Sequence, residues 1–271
     1  MRRRMRKWWI LGVLAVLLLG TVLGVGVVHS RGPSFRFSNL ADDTSRQQVR
    51  SLLGQAKIPE EDTNAFFGLV DTFYRVPYEG IVESGWEKAA VRSFFYDEEA
   101  AFDHYEKSDC TIVCRTAAYF LTRSSITFGS TALPPAEEKD PKSRQYLVDD
   151  TDRLQYDRLF ASIPADTAET SEQVWDALKT YWTDAGISFR EGTAQLVTVY
   201  ALTGDEIQNL HAATALYEED GVWLLEKNDP LYPFQFSHFE REQDMMTYLQ
   251  RRAAEVDCAV ITRGGACIWE K

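Results

Sequence analysis

The chain has 271 residues, 45% of them hydrophobic, with 29 basic against 41 acidic residues and a net charge of −12. A chain of this length and apolar content buries a core without a disulfide framework. Its acid excess argues against a nucleic-acid or anionic-lipid binder, whose surface needs cations to meet phosphates, so no nucleic acid is expected as a partner.

Residues 1–7 hold Arg2, Arg3, Arg4, Arg6 and Lys7 and read as a basic cytoplasmic segment. The uncharged run from Trp8 to Val28 follows. At about 1.5 Å per residue it matches the roughly 30 Å of a bilayer's hydrocarbon core. Residues 8–28 are therefore expected to be a transmembrane anchor, with the flanking cations holding the N-terminus inside. The alternative is a cleaved secretory signal ending near Val28-His29-Ser30, although the run exceeds the about 7–15 residues usual for such a signal. Either way the remainder is expected outside the cytoplasm, on a single-pass membrane protein or secreted. Six of the 29 basic residues lie in residues 1–31, which leaves 23 against 41 acidic ones and −18 on the exported part. Residues 29–36 read as a connector and 37–271 as one domain.

Residues Asn39 to Ala56 carry helical spacing, with Asp42, Asp43 or Thr44 as cap. A second helix opens at Pro59-Glu60-Glu61 and carries Phe66, Phe67, Val70 and Phe73. Residues 76–88 read as loop and short strand, and another helix covers Asp97–Tyr105. Residues 131–150, containing LPPAEEKDPKSRQ, read as a polar excursion. Ser171 to Ala185 is a capped amphipathic helix stopped by Gly186. Sheet signals then take over: Gln195–Leu202, a hairpin of His211–Tyr217 and Val222–Glu226 turning at Asp220-Gly221, and an extended PFQF segment. A helix over Asp244–Ala254 and a hairpin of Ala259–Thr262 with Ala266–Trp269 close the chain. Helices first and antiparallel sheet second predict an α+β fold with segregated layers.

Cys258 and Cys267 flank the turn of that last hairpin and are a possible disulfide; Cys110 and Cys114 can also pair, so two bridges, one or none stay open. Around Cys114 the β-branched run Thr111-Ile112-Val113 is a poor helix interior, whereas CRTAAYFL is a good one, so a helix is expected to start near Val113–Cys114. A thiol in that first turn meets unpaired N–H groups and the positive end of the helix dipole, both of which favour the thiolate. His211, opening a strand beside Ala212 and Ala213, is the histidine best placed to act as its base. Glu226, across the Asp220-Gly221 turn, is the group to orient the ring. Gln235 and Arg115 are candidates for an oxyanion or substrate contact, with the Cys114 backbone N–H as an alternative. A strand histidine packed on a helix that begins with cysteine resembles the arrangement of papain-like and NlpC-type thiol hydrolases. Each residue also has a plainer role, Cys114 as a small core residue and His211 as hydrogen-bonded packing.

The segments FSNLADDTSRQQVRSLLGQAKI, CRTAAYFL and HAATALYEEDGVWLLEKNDPLYPFQFSHFEREQDMMTYL resemble, in order and spacing, the bacterial domain-of-unknown-function 4300 family of exported proteins. The resemblance places the family's Asn-Cys-Arg element on Val113-Cys114-Arg115, its histidine strand on His211-Ala212-Ala213, and its Glu-Lys and Pro-Tyr-Gln steps on Glu226-Lys227 and Pro233-Phe234-Gln235. Val113 departs from a polar residue, Ala213 from a glycine, and the lipid-bearing cysteine of many relatives is missing. The family brings no established activity with it; the resemblance implies a shared arrangement of Cys, His and Glu. The expected function is an extracytoplasmic thiol hydrolase or acyl transferase acting on a peptide-type amide such as a cell-wall cross-bridge. It is expected to be monomeric and to need no cofactor or metal. The alternatives are a non-catalytic peptide- or glycan-binding module, and a structural surface protein with oxidised cysteines.

Overall fold

A computed structural model describes residues 32–108, 110–129, 143–165 and 167–271. Its centre is an antiparallel sheet with strand order β11-β10-β6-β7-β8-β9-β1-β2. The strands are β1 (Ser34–Ser38), β2 (Glu87–Ala90), β6 (Ala194–Thr203), β7 (Glu206–Glu218), β8 (Gly221–Lys227), β9 (Phe234–Phe239), β10 (Ala259–Arg263) and β11 (Ala266–Glu270). The two-residue β4 (Ile163–Pro164) pairs with the start of β7, and β3 (Ile126–Phe128) pairs with β5 (Ile187–Phe189) in a separate ribbon.

Helices cover both faces. On the first lie α1 (Asp43–Gln55), α2 (Glu60–Phe73), α4 (Cys114–Thr122), α5 (Asp150–Leu159) and α6 (Ser171–Asp184), with α3 (Glu98–Ser108) behind them. On the second lies α7 (Glu242–Gln250), whose Met245, Tyr248 and Leu249 pack with Phe35, Val199, Ala213 and Phe239. Burial on both faces is why β6 reads as a nearly unbroken apolar run. Asp42 caps α1 through Ser45 N–H, and Thr170 with Gln173 forms a capping box on α6.

Two expectations are corrected here. The chain is not helices followed by sheet in a papain-like layout, but a mixed fold in which one large antiparallel sheet draws strands from both ends of the chain. Residues 34–36, expected in a connector, belong to β1, which pairs with β9 and β2 and buries Phe35 and Phe37. Phe35 stacks on Phe239 with ring centroids 5.1 Å apart, a long-range contact that no local pattern signals. The second correction concerns the anchor: among the described residues no helix is long and apolar enough to cross a membrane, and residues 8–28 lie outside them. Most of the polar excursion expected at 131–150 also lies outside the described residues, while Asp150 already begins α5.

The Asp220-Gly221 turn joins β7 to β8 as its residue types require. Gly221 has φ 137°, and a Cβ there would sit 2.2 Å from the Phe239 carbonyl oxygen. Gly221→Ala is therefore expected to lower stability by more than about 1 kcal/mol, read as a fall in urea midpoint at unchanged slope.

Candidate active site

The site forms where β8 leaves β7. The last residues of the two strands to pair are Ala213 and Glu226; beyond them β7 runs on beside β6 alone until β4 joins it at Ile207. A β-bulge at Leu210 falls in this stretch, since Tyr200 pairs with Asn209 and Val199 with His211. The extra residue reverses the alternation of side chains. Ile207 faces the helix-rich first face, whereas His211 follows Ala213 onto the α7 face, beside Glu226. His211 thus sits mid-strand at a bulge rather than at a strand opening.

The start of α4 meets this split. Val113 is the N-cap in extended conformation and contributes no side-chain cap bond, so Cys114 and Arg115 begin the helix with N–H groups that have no intrahelical acceptor. The Cys114 sulfur receives the backbone N–H of Ala212 and lies against the His211 imidazole. His211 Nε2 is 2.7 Å from Glu226 Oε2. Its Nδ1 atom is buried and has no hydrogen-bond partner, which leaves that nitrogen open to the thiol. The side chains expected from sequence as nucleophile, base and orienting acid are therefore contiguous.

Burial alone would push the Cys114 thiol up; the neighbouring His211 imidazole, then Arg115 and the Ala212 N–H, outweigh it and hold the thiol below its ordinary value. Burial opposes a charged imidazole too, yet Cys114 and Glu226 together keep His211 above its usual range. Glu226, buried, is held below the usual carboxylate range by His211 first, then by Arg252 and Tyr248. The three shifts agree in sense, each favouring the charged form of its group.

Glu226 is fixed from behind. Tyr248 of α7 donates its hydroxyl to Oε1 at 2.7 Å, Gln235 Nε2 lies 3.4 Å from the same atom, and Arg252 Nη2 is 3.9 Å from Oε2. The hydrogen bonds of Gln235 go elsewhere than to Cys114: its amide nitrogen also meets Ser237 Oγ at 2.6 Å, and its carbonyl accepts from Tyr96. Tyr96 in turn accepts from Asn39 Nδ2 at 2.7 Å. Arg115 donates to the Asn209 carbonyl at 3.0 Å, on the flank of the split.

Tyr248, Arg252 and Tyr96 escaped the sequence reading. They come from α7, the turn after it and a loop before α3, and only the tertiary fold aims them at Glu226. Cys110, Cys114, Cys258 and Cys267 are all free thiols. Cys267 pairs with Thr262 while Cys258 precedes β10, so the hairpin register holds the two apart instead of bridging them. Among the described residues no group of three or more His, Cys, Asp or Glu side chains is placed to hold a metal ion.

A family model described as "Domain of unknown function (DUF4300)" matches residues 36–257, and the chain belongs to that family. No curated protein and no solved structure matches the chain.

Lys227, next to Glu226, points to the opposite face and is fully buried. Its Nζ donates to the carbonyls of Asp229, Pro230 and Tyr232 and lies 4.4 Å from the centre of the Phe73 ring. Burial brings this amine from 10.5 down to about 7, against the pull of Cys110, Asp229 and Cys114. Between those two values the unfolded chain holds more protons than the folded one, so this group makes stability rise with pH. Lys227→Met is expected to flatten the increase of urea midpoint between about pH 7 and 9. An unchanged slope would show that the carbonyl cage keeps the ammonium charged throughout.

Proposed function

We propose that this member of the DUF4300 family is a thiol-dependent hydrolase or acyl transferase, with Cys114 as nucleophile, His211 as base and Glu226 as the acceptor that orients the ring. The observation that carries the reading is the position of His211. One ring nitrogen is bound to a buried carboxylate, and the other is left for a thiol held below its ordinary value. Such a pair suits attack on an acyl carbon. The Cys114 sulfur forms a thioester and the C–N bond of an amide breaks; the proton on His211 passes to the departing amine. Water then attacks the thioester, gives its proton to His211, and releases the acid with the thiolate restored. In transfer, an amine takes the place of water. The Cys114 backbone N–H, in the first turn of α4 where no intrahelical acceptor exists, is the donor this reading assigns to the developing oxyanion.

A peptide-type amide is the substrate class this reading takes. A second reading, a non-catalytic peptide- or glycan-binding module, is favoured by burial of the pair, since Cys114 is 8% and His211 1% exposed.

Iodoacetamide kinetics followed site by site decide between them. Cys114 in the native protein is expected to alkylate at neutral pH faster than an ordinary thiol, whose pKa is about 8.5. His211→Ala should slow it by about tenfold or more and move its pH profile upward. Glu226→Gln should slow it less, because the ring keeps its place through the thiol and the strand. Equal rates in the parent and His211→Ala proteins would leave the binding module standing.

A further inference from the structure

Behind Glu226 lies a cavity of about 580 Å³, a volume suited to a small ligand, bounded by Tyr96, Asn228, Tyr232, Tyr248, Arg251 and Arg252 together with neighbouring side chains. Its walls are flat. Tyr96 and Tyr232 are stacked at 5.6 Å and 23°, and Arg252 lies over the Tyr248 ring at 5.8 Å. The two arginines differ in what they have left to offer. Arg251 donates its guanidinium N–H groups to the carbonyls of Val91 and Phe94 and stacks over Phe95. Arg252 donates to Asn228 Oδ1, stands 3.9 Å from Glu226, and keeps 30% of its side chain exposed. Two guanidinium groups thus line the cavity, Arg252 backed by the buried Glu226, while the acidic lining residues, Glu98 and Glu255, are exposed. A ligand with a carboxylate at its inner end and a flat or apolar group beside it meets the guanidinium fork and the tyrosine rings together. A second anionic group further out would meet Glu98 and Glu255.

Resting on the thiol-hydrolase reading, we infer that this cavity is the site's substrate pocket and takes the C-terminal end of a peptide, its free carboxylate on Arg252 and its side chain against Tyr96, Tyr232 and Tyr248. The cavity wall touches the catalytic row directly: Tyr248 donates to one oxygen of Glu226, Arg252 faces the other, and the Arg252 charge reaches both His211 and Cys114. A carboxylate seated on Arg252 thus stands at the far end of the row from the thiol, coupled to Cys114 through Glu226 and His211.

The test compares N-acetyl-L-tyrosine with N-acetyl-L-tyrosinamide on the full chain by isothermal titration calorimetry. The carboxylate is expected to bind at least tenfold more tightly, and at saturation to slow Cys114 alkylation where the same concentration of the amide does not. Arg252→Gln should remove the preference, and Arg252→Lys should keep part of it. Equal affinities in the parent protein, binding of neither probe, or a preference that survives Arg252→Gln would overturn the inference. The parent comparison needs no variant to fold. The two readings fail separately. A carboxylate preference alongside equal alkylation rates in the parent and His211→Ala proteins removes the enzyme. Fast, His211-dependent alkylation without a preference removes the pocket.

Discussion

The Glu226 carboxylate is 1% exposed on a central strand, and the surrounding structure answers to that burial. A carboxylate taken out of water is costly unless it is paired and hydrogen-bonded. Here the partners come from three parts of the chain: His211 from the neighbouring strand, Tyr248 from the helix on that face, and Gln235 from the strand on the other side. Gln235 is itself held by Tyr96, and Tyr96 by Asn39, so a hydrogen-bonded chain runs from the end of β1 to the imidazole. Replacing any one member leaves its neighbours unsatisfied, and that is what makes such networks rigid.

The second constraint is topological. In an unbroken sheet, His211 and a helix on the opposite face would be separated by the backbone of β8. The parting of β7 and β8 beyond Ala213 and Glu226 removes that barrier, and the bulge at Leu210 sets the ring on the Glu226 side. The start of α4 then reaches the imidazole from the far face. A thiol at this point collects a helix N-terminus, the Ala212 N–H, the His211 imidazole and the Arg115 charge, each favouring the thiolate.

Much of this was legible in the sequence, for identifiable reasons. The β-branched run before Cys114 marks where α4 starts, and Asp220-Gly221 fixes the hairpin that puts Glu226 across from Ala213. Together they bring Cys114, His211 and Glu226 into reach. What stayed hidden depends on long-range pairing. β1 is only five residues long, and its place beside β9 is decided by Phe35 and Phe37 finding Phe239 and Phe94. The Leu210 bulge has no glycine to announce it. Gln235 looked free to serve an oxyanion, because nothing in its neighbourhood reveals that Ser237, Tyr96 and Glu226 already take its amide.

Glu226 and Lys227 are adjacent, buried and of opposite charge, but they do not neutralise each other, because a strand sends neighbouring side chains to opposite faces. Glu226 turns to His211 and Tyr248; Lys227 turns to Phe73 and to the carbonyls of the loop that follows it. Each face therefore holds one charge that must be satisfied locally. Lys227 does so by gathering the 229–232 segment around its amine, and the same segment brings Tyr232 to the cavity wall beside Tyr96. The buried lysine thus shapes the cavity from the opposite side of the sheet. A strand that carried an apolar residue at position 227 would leave three carbonyls without a donor and the pocket without the anchor of its outer wall.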